Sequence, residues 1–565
     1  MRERRKGDGV SWNRFCWCTL CIVFSCVILS GFTFSSFRLF SGERYMPLVV
    51  PAWRNPAMEA VSMESAVAPA ISVREIVIFP DQAMVFLSYP PSGRLLTKED
   101  LLCIYSLGNS SKPQFQHPPI AAEDGADANG QMVRCPLQSG HSRVALMLRS
   151  DGSVLSGPSH HWNKLVYEAL IDRDNTTVVF VKGLNLRPGK VSNSSRFECL
   201  YGWDFRRPRF VLRTEVLSIA QEIVRCETPL SVLNGGVYRG NRTVKVSLRV
   251  KGGGLIFNSI AQAGLRRAAA PSTQTKAHEM CICTMVRNQA RFIKEWVVYH
   301  SKVGVNRWFI YDNNSDDDPE TLVDSLNDAG FNVSRHTWPW IKTQEAGFAH
   351  CALRARPACE WVGFIDVDEF FHMPAGLDLG EVLRNWSGMP AVSELRVSCH
   401  SFGPSGLKER PRQGVTVGYT CRMATPERHK SIVRPEALNS TLINVVHHFH
   451  LRDGFEFVNV DRGIMVINHY KYQVWDVFKE KFYRRVATYV ADWQEEQNAG
   501  SKDRAPGLGT RAIEPPDWSN RFCEVQDTGL RDQVLQEFAD PRTHNLPWQE
   551  AEDGDGDENR TEQMD

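Results

Sequence analysis

The stretch Trp361-Val362-Gly363-Phe364-Ile365-Asp366-Val367-Asp368-Glu369-Phe370-Phe371 restricts this chain's options more than any other. A short apolar run bounded by acids predicts a strand buried on both faces. In extended chain, residues i and i+2 point the same way, so Asp366 and Asp368 are expected to leave the strand end on one side. Two anions held together repel unless something positive sits between them. Oxygen ligands suit a hard divalent cation, Mn2+ or Mg2+. Ligands of open α/β sheets bind beyond the carboxyl ends of the strands. The expectation is a metal that holds a nucleotide diphosphate at this edge. An acidic turn after a core strand is the plainer alternative, because Asp-x-Asp is common.

A chain of 565 residues is long enough for about three to four units including tails. Its 66 Lys and Arg against 65 Asp and Glu give no global field to attract nucleic acid or an anionic membrane. No phosphate-loop motif and no convincing zinc spacing is present. Residues 15–37 carry no charge and are long enough to cross a bilayer. Arg2, Arg4, Arg5, Lys6 and Arg14 precede them, which keeps the short N-terminus cytosolic and the body lumenal. A cleaved signal peptide is the alternative, although its apolar region is normally shorter. Sequons at Asn109, Asn175, Asn193, Asn241, Asn313, Asn332, Asn385, Asn439 and Asn559 agree with a lumenal body. Cys103–Cys135, Cys199–Cys226 and Cys399–Cys421 are plausible local disulfides, and an odd cysteine is left over in the body.

The expected organisation is a cytosolic tail at 1–14, a transmembrane anchor at 15–37 and a Pro- and Ser-rich stem at 38–72. An all-β region follows at 73–250, where short β-like runs alternate with turn residues. Such a domain could bind sugar, as a carbohydrate-binding module does, present the rest of the chain or simply pack. Trp162, Tyr201 and Trp203 offer stacking faces, although core aromatics are the commoner reading. A Gly- and Ala-rich linker is expected at 251–275. Strand–helix alternation with short connections then predicts a parallel, doubly wound α/β sheet within 276–545, before an acidic tail at 546–565. Strands are expected at 280–286 and 307–311, and helices at 289–302, 319–329 and 344–359. Strand ends of such a sheet converge on the ligand. This makes Val286, Arg287, Asn288, Asp312 and Asn314 donor-site candidates, with Arg287 toward a phosphate and Asp312 toward a uracil N–H or a ribose hydroxyl. On spacing alone, a turn explains the second group slightly better.

The run Glu295-Trp296-Val297-Val298-Tyr299-His300, then Gly304-Val305 and Phe309-Ile310-Tyr311-Asp312-Asn313-Asn314-Ser315, resembles glycosyltransferase family 92. Phe364-Ile365-Asp366-Val367-Asp368-Glu369-Phe370, Phe402-Gly403-Pro404-Ser405-Gly406, Lys430-Ser431-Ile432-Val433-Arg434-Pro435 and Asn468-His469-Tyr470 extend the likeness. The resemblance implies a GT-A (Rossmann-like) catalytic domain behind the all-β domain and the N-terminal transmembrane helix. It further implies a nucleotide-sugar donor, inversion at the anomeric carbon and UDP-galactose as the favoured donor, as in plant β-1,4-galactan synthases. Where the family usually reads Gly-Ser-Ser-Gly-His, this chain has Gly403-Pro404-Ser405-Gly406-Leu407. That loop is expected to border the acceptor, so the acceptor is the least transferable part.

In that context His469 is expected to complete the metal shell with Asp366 and Asp368. Lys430 and Arg434 are expected to stabilise the departing diphosphate, with a solvated basic surface as the alternative. His447, His448 and His450 read as structural or acceptor-side. Inversion needs a base for the acceptor hydroxyl. Asp453 is the candidate by chain order, with Glu409 and Glu394 as rivals. The resulting expectation is a single-pass type II Golgi glycosyltransferase acting on a glycan or cell-wall polysaccharide, with a homodimer as one assembly. A transferase using another UDP-sugar is the close rival. From other classes come a tethered carbohydrate-binding protein with an inactive transferase fold and a metal-dependent phosphoesterase.

Overall fold

The computed structural model describes residues 71–549 other than 91–92, 107–114, 125–129, 138–142, 187–188, 206–210, 235–243, 264–275 and 490–512. The expected cytosolic tail, anchor and stem fall outside the described residues, apart from 71–72, as does the acidic tail beyond 549. The first residues of that expected tail belong to the fold instead, since the apolar side chains of Leu546 and Trp548 are buried in its core. No helix among the described residues is long and apolar enough to cross a membrane.

The N-terminal β region is two packed units. In the first, a five-stranded sheet containing Ser72–Ile78, Gln82–Ser88 and Gly130–Pro136 faces a four-stranded sheet containing Leu101–Ser106 and Arg143–Leu148. Ile76, Val85 and Val133 meet Leu101, Tyr105 and Leu146 between them, and Cys103–Cys135 joins the two layers as expected from spacing. The second unit is a seven-stranded sheet that encloses Val166, Val179, Tyr201, Val224 and Val246. Cys199–Cys226 crosses that core. The stretch read as a linker begins inside this sheet. Phe257 and Ile260 are buried, and Asn258–Ser259 pairs with Leu165–Ile171.

The C-terminal half is α/β, with β1 His278–Val286, α1 Ala290–Val303, β2 Arg307–Asp312, α2 Pro319–Asp328, β3 Val333–Thr337, α3 Gln344–Ala355 and β4 Cys359–Phe364. The expected strands and first two helices lie within two residues of these bounds; the third helix was expected four residues longer. Apolar spacing explains α1, whose Phe292, Ile293, Trp296, Tyr299 and Val303 are buried, and Gly304 ends it at φ 114. After β4 come β5 Glu369–His372, β6 Val392–Ser401, β7 Arg428–Val433, β8 Glu456–Asn459, β9 Val466–His469 and helix α4 Trp475–Tyr489. The sheet order is β3-β2-β1-β4-β7-β6-β9-β5, with β8 beside β6. Strands β1 to β4 are mutually parallel where they pair, but β7 is antiparallel to β4 and to β6. The expectation of a wholly parallel sheet therefore holds only for its first half. Register aligns the carboxyl ends, pairing Val286 with Asp312 and Asp312 with Thr337.

Candidate active site

The opening stretch is two strands rather than one. The chain leaves β4 at Phe364, turns through 365–368 and returns as β5, antiparallel to β9. Glu369 closes this turn, its backbone N–H donating to the Asp366 carbonyl at 3.0 Å and its Oε2 accepting from the Asp366 N–H at 2.9 Å. The acidic pair therefore converges through a tight turn, not through the two-residue period of a strand. Helix α1 fixes the returning strand, since Trp296 Nε1 donates to the Glu369 carbonyl at 2.9 Å and the Tyr299 hydroxyl to the Phe371 carbonyl at 2.5 Å. Buried Glu295 accepts from the Val415 and Thr416 amides at 2.8 and 2.9 Å.

Asp366, Asp368, Lys430 and His469 line one cavity of about 370 Å³ at the carboxyl edge of the sheet, together with Val286 and Arg287. Lys430 Nζ stands 3.2 Å from Asp366 Oδ2 and 2.8 Å from Glu369 Oε1. It also donates to His447 Nε2 at 2.6 Å, and His447 Nδ1–H in turn donates to the Phe364 carbonyl at 2.8 Å. Lys481, from α4, pairs with Asp368. His469 Nε2 lies 3.5 Å from Asp368 Oδ2 and is buried without a hydrogen bond.

Burial pushes the Asp366 carboxyl up, but the Lys430 ammonium outweighs it and holds the group below the usual carboxylate range. Asp368 is likewise depressed, with Lys481 and His469 overcoming burial. For Glu369 burial prevails over Lys430 and the carboxyl is raised. Burial, and then Lys430, lower the His447 imidazole to about 3, so it stays neutral and accepts a hydrogen bond from the Lys430 ammonium.

The other sequence candidates separate. Asn288, at φ 50, takes the Asp316 amide on its Oδ1 at 2.8 Å and braces the neighbouring loop. Asp312 is 1 % exposed and held by Arg335 Nε at 2.9 Å, while Asn314 donates to the Pro339 carbonyl at 3.0 Å. These three set loop shape, and Asn313 from the same loop reaches the cavity. Asn313 Nδ2 is spent on the Trp338 and Trp340 carbonyls at 2.7 and 3.1 Å, which closes that sequon. Arg434 stacks on Trp361 at 4.4 Å, away from the cavity. Asp453 and Glu409 sit in exposed loops and do not line it. Glu394 is fully buried and held by Arg396 and Ser431. Chain order pointed to Asp453, but the fold carries that turn away from the cavity, where the Arg452 amide bonds the Ala437 carbonyl at 2.8 Å.

The sequence reading missed Glu427, Lys471 and Lys481, which line the cavity, and it gave no site role to Glu369, which closes the acidic turn. Glu427 accepts from Lys471 at 2.6 Å and from the Tyr472 hydroxyl at 3.1 Å. Burial raises its carboxyl, and the Lys471 contact more than reverses this. The Gly403 loop grips the segment at 518–522 instead of bordering the cavity, with the Gly406 N–H on the Ser519 carbonyl at 2.7 Å. Cys421 pairs with Cys523, 102 residues on, so the expected Cys399–Cys421 bond is absent and Cys399 is free and buried. Sequence distance had hidden that partner. Cys281–Cys359 and Cys283–Cys351 tie β1 to β4 and to α3.

The sequence profile of glycosyltransferase family 92 matches residues 276–503. A family 92 protein of Ricinus communis is 64 % identical over 97 % of this chain and 100 % of its own length. A rice (Oryza sativa subsp. japonica) family 92 protein is 52 % identical over 90 % of this chain and 89 % of its own. Among solved structures, S. aureus TarS 1–349 aligns at 12 % identity over 39 % of this chain and 68 % of that one, with a TM-score of 0.24.

Proposed function

This chain belongs to glycosyltransferase family 92 and is a glycosyltransferase; from that premise we propose that its cavity takes a UDP-sugar, UDP-galactose first, and transfers the sugar with inversion to a glycan or cell-wall polysaccharide. The observation that carries this reading is the convergence of Asp366, Asp368, His469 and Lys430 on one cavity at the carboxyl edge of the sheet. Two depressed carboxylates beside a buried imidazole nitrogen without a hydrogen bond form a donor set that fits a divalent cation. Asp366, Asp368 and His469 would hold Mn2+ or Mg2+, whose charge stabilises a diphosphate leaving group. Lys430 and Lys481 place ammonium groups at the same carboxylates, and Arg287 adds a guanidinium to the lining. All three offset charge that builds on the departing diphosphate.

Glu427 takes the place of Asp453 and Glu409 as the base. It is the one lining carboxylate among the described residues outside the acidic turn. Depressed by Lys471, it is ionised and able to receive the acceptor hydroxyl proton. Five disulfides among the described residues and the uncharged stretch at 15–37 support a type II protein whose body lies in the Golgi lumen. The test is a donor screen of the full-length protein in detergent across common UDP-sugars with Mn2+. UDP release with UDP-galactose and its loss on chelation are expected. Release with a different sugar replaces the donor, and none with any sugar favours a carbohydrate-binding role.

A further inference from the structure

Among the described residues, no strand of the N-terminal β region supplies a residue to the cavity lining, yet that region holds three of the cavity's walls. Arg134, 3 % exposed, donates to the Ser315 carbonyl at 3.0 Å and to Asp316 Oδ1 at 2.9 Å, fixing the loop that carries Asn313. Lys182 Nζ donates to the Lys342 carbonyl at 2.8 Å, in the wall formed by Trp340 and Thr343. Gln221, at the tip between Val211–Ala220 and Ile223–Glu227, clamps Asn444 from both sides. Its Nε2 donates to the Asn444 carbonyl at 2.7 Å, and its Oε1 accepts the Asn444 N–H at 3.2 Å. The wall that begins at Asn444 leads into Val446, His447 and His448, all of which line the cavity.

Each braced wall also contains a residue in the left-handed backbone region. These are Asn314 at φ 60, Lys342 at φ 56 and Val446 at φ 58. Asparagine tolerates that conformation, but a β-branched valine does not adopt it without strain. Such strain persists where surrounding contacts over-determine the backbone, and it gathers at functional sites. Of the three aromatic residues with candidate stacking faces, Tyr201 is 1 % exposed in the core and Trp162 stacks on Phe79, whereas Trp203 is 39 % exposed.

We infer that the β region is a built-in scaffold that presets the donor cavity, with Arg134, Lys182 and Gln221 as positioning residues acting through the loops they hold. The inference rests on reading the cavity as the donor site. Gln221→Ala in the full chain removes two hydrogen bonds from a neutral, half-buried side chain. The expected result is faster amide exchange confined to 442–448 and a donor KM raised about five- to tenfold, the ratio one ordinary hydrogen bond gives. The melting temperature and kcat stay close to those of the unaltered chain. Lys182→Met, which also takes the ammonium partner from Glu222, shows the same local exchange and KM pattern at 340–343 with a lower melting temperature. Unchanged exchange and KM in both variants overturn the scaffold, as does a general rise in exchange with a lowered melting temperature in Gln221→Ala. If the unaltered chain turns over no UDP-sugar, the donor reading falls, and the exchange pattern still decides the scaffold.

Discussion

Asp368 is 1 % exposed, yet it faces a cavity and is ionised because Lys481 and His469 outweigh the cost of burial. Asp368→Asn keeps the size of the side chain and removes its charge. Transfer should fall by about 10²–10³-fold, as when a preorganised electrostatic contact to the transition state is lost. The melting temperature should fall too, because the partly buried Asp368–Lys481 ion pair is lost. UDP release and a thermal melt on the same sample check both, and full activity would remove the acidic turn from the mechanism. His300 shows the opposite use of burial. Its Nδ1–H donates to the Trp296 carbonyl at 2.7 Å, its Nε2 accepts the Phe371 N–H at 3.3 Å, and burial lowers the imidazole to about 3 from 6.5. Below pH 6.5 the unfolded chain gains a proton that the folded chain refuses, so stability is complete above 6.5 and is lost as pH falls toward 3. The slope approaches ~1.4 kcal/mol per pH unit for this one group. Urea unfolding at several pH values should show a shallower acid slope in His300→Gln, and an unchanged slope would rule out this origin.

Gly403 ties an element to the site in the same way. A Cβ there would lie 2.4 Å from the Arg521 carbonyl oxygen and 2.8 Å from that of Phe522, both backbone atoms with little room to give. The segment it grips carries Trp518, which packs with Tyr472, Trp475, Phe478 and Phe482, and thereby holds α4 and Lys481 against the cavity. Gly403→Ala should cost about 1–3 kcal/mol, the usual overpacking range, and should increase proteolysis near 518–522; an unaltered melt would contradict the packing. The family motif at this loop was legible in sequence, but its task was not, because its partner lies more than 100 residues on and is held by Cys421–Cys523, at a separation of 102. The parallel half of the sheet was readable because each strand and helix carries its own period. Strands β6, β7 and β9 were not readable as a sheet, since their pairing joins distant segments. Glu427 and Lys471 went unnoticed for the same reason, as they meet only once the chain has folded.

The strands before residue 264 and the α/β sheet share one apolar core, which makes their separation a test of how the chain folds. Phe79, Met84, Tyr167 and Phe180 of the β region are buried in one cluster with Cys283, Tyr311, Trp338, Trp340 and Phe348. Tyr167 lies 4.8 Å from the Trp340 ring, and Phe180 meets Trp338 edge-on at 6.0 Å. Burial of a side chain of this size contributes about 1.5–3 kcal/mol. Phe79, Tyr167 and Phe180 together therefore supply ~5–9 kcal/mol, comparable with the ~5–15 kcal/mol by which a whole domain is stable. Polar ties reinforce the joint, with Asp172 paired to Arg356 at 3.0 Å and Arg335 bridging Asp312 and Glu123, each at 2.7 Å. A chain starting at residue 276 would leave Trp338 and Trp340 on an apolar patch and Arg335 without Glu123. Patches of several hundred Å² on a soluble monomer drive association. That truncated chain should elute as aggregate on size exclusion and melt without a cooperative transition, whereas a chain starting at residue 71 should be soluble and melt as one unit. A monomeric, cooperatively melting chain from 276 onward would show that the α/β half closes its core by itself, and the shared cluster would then contribute little to stability.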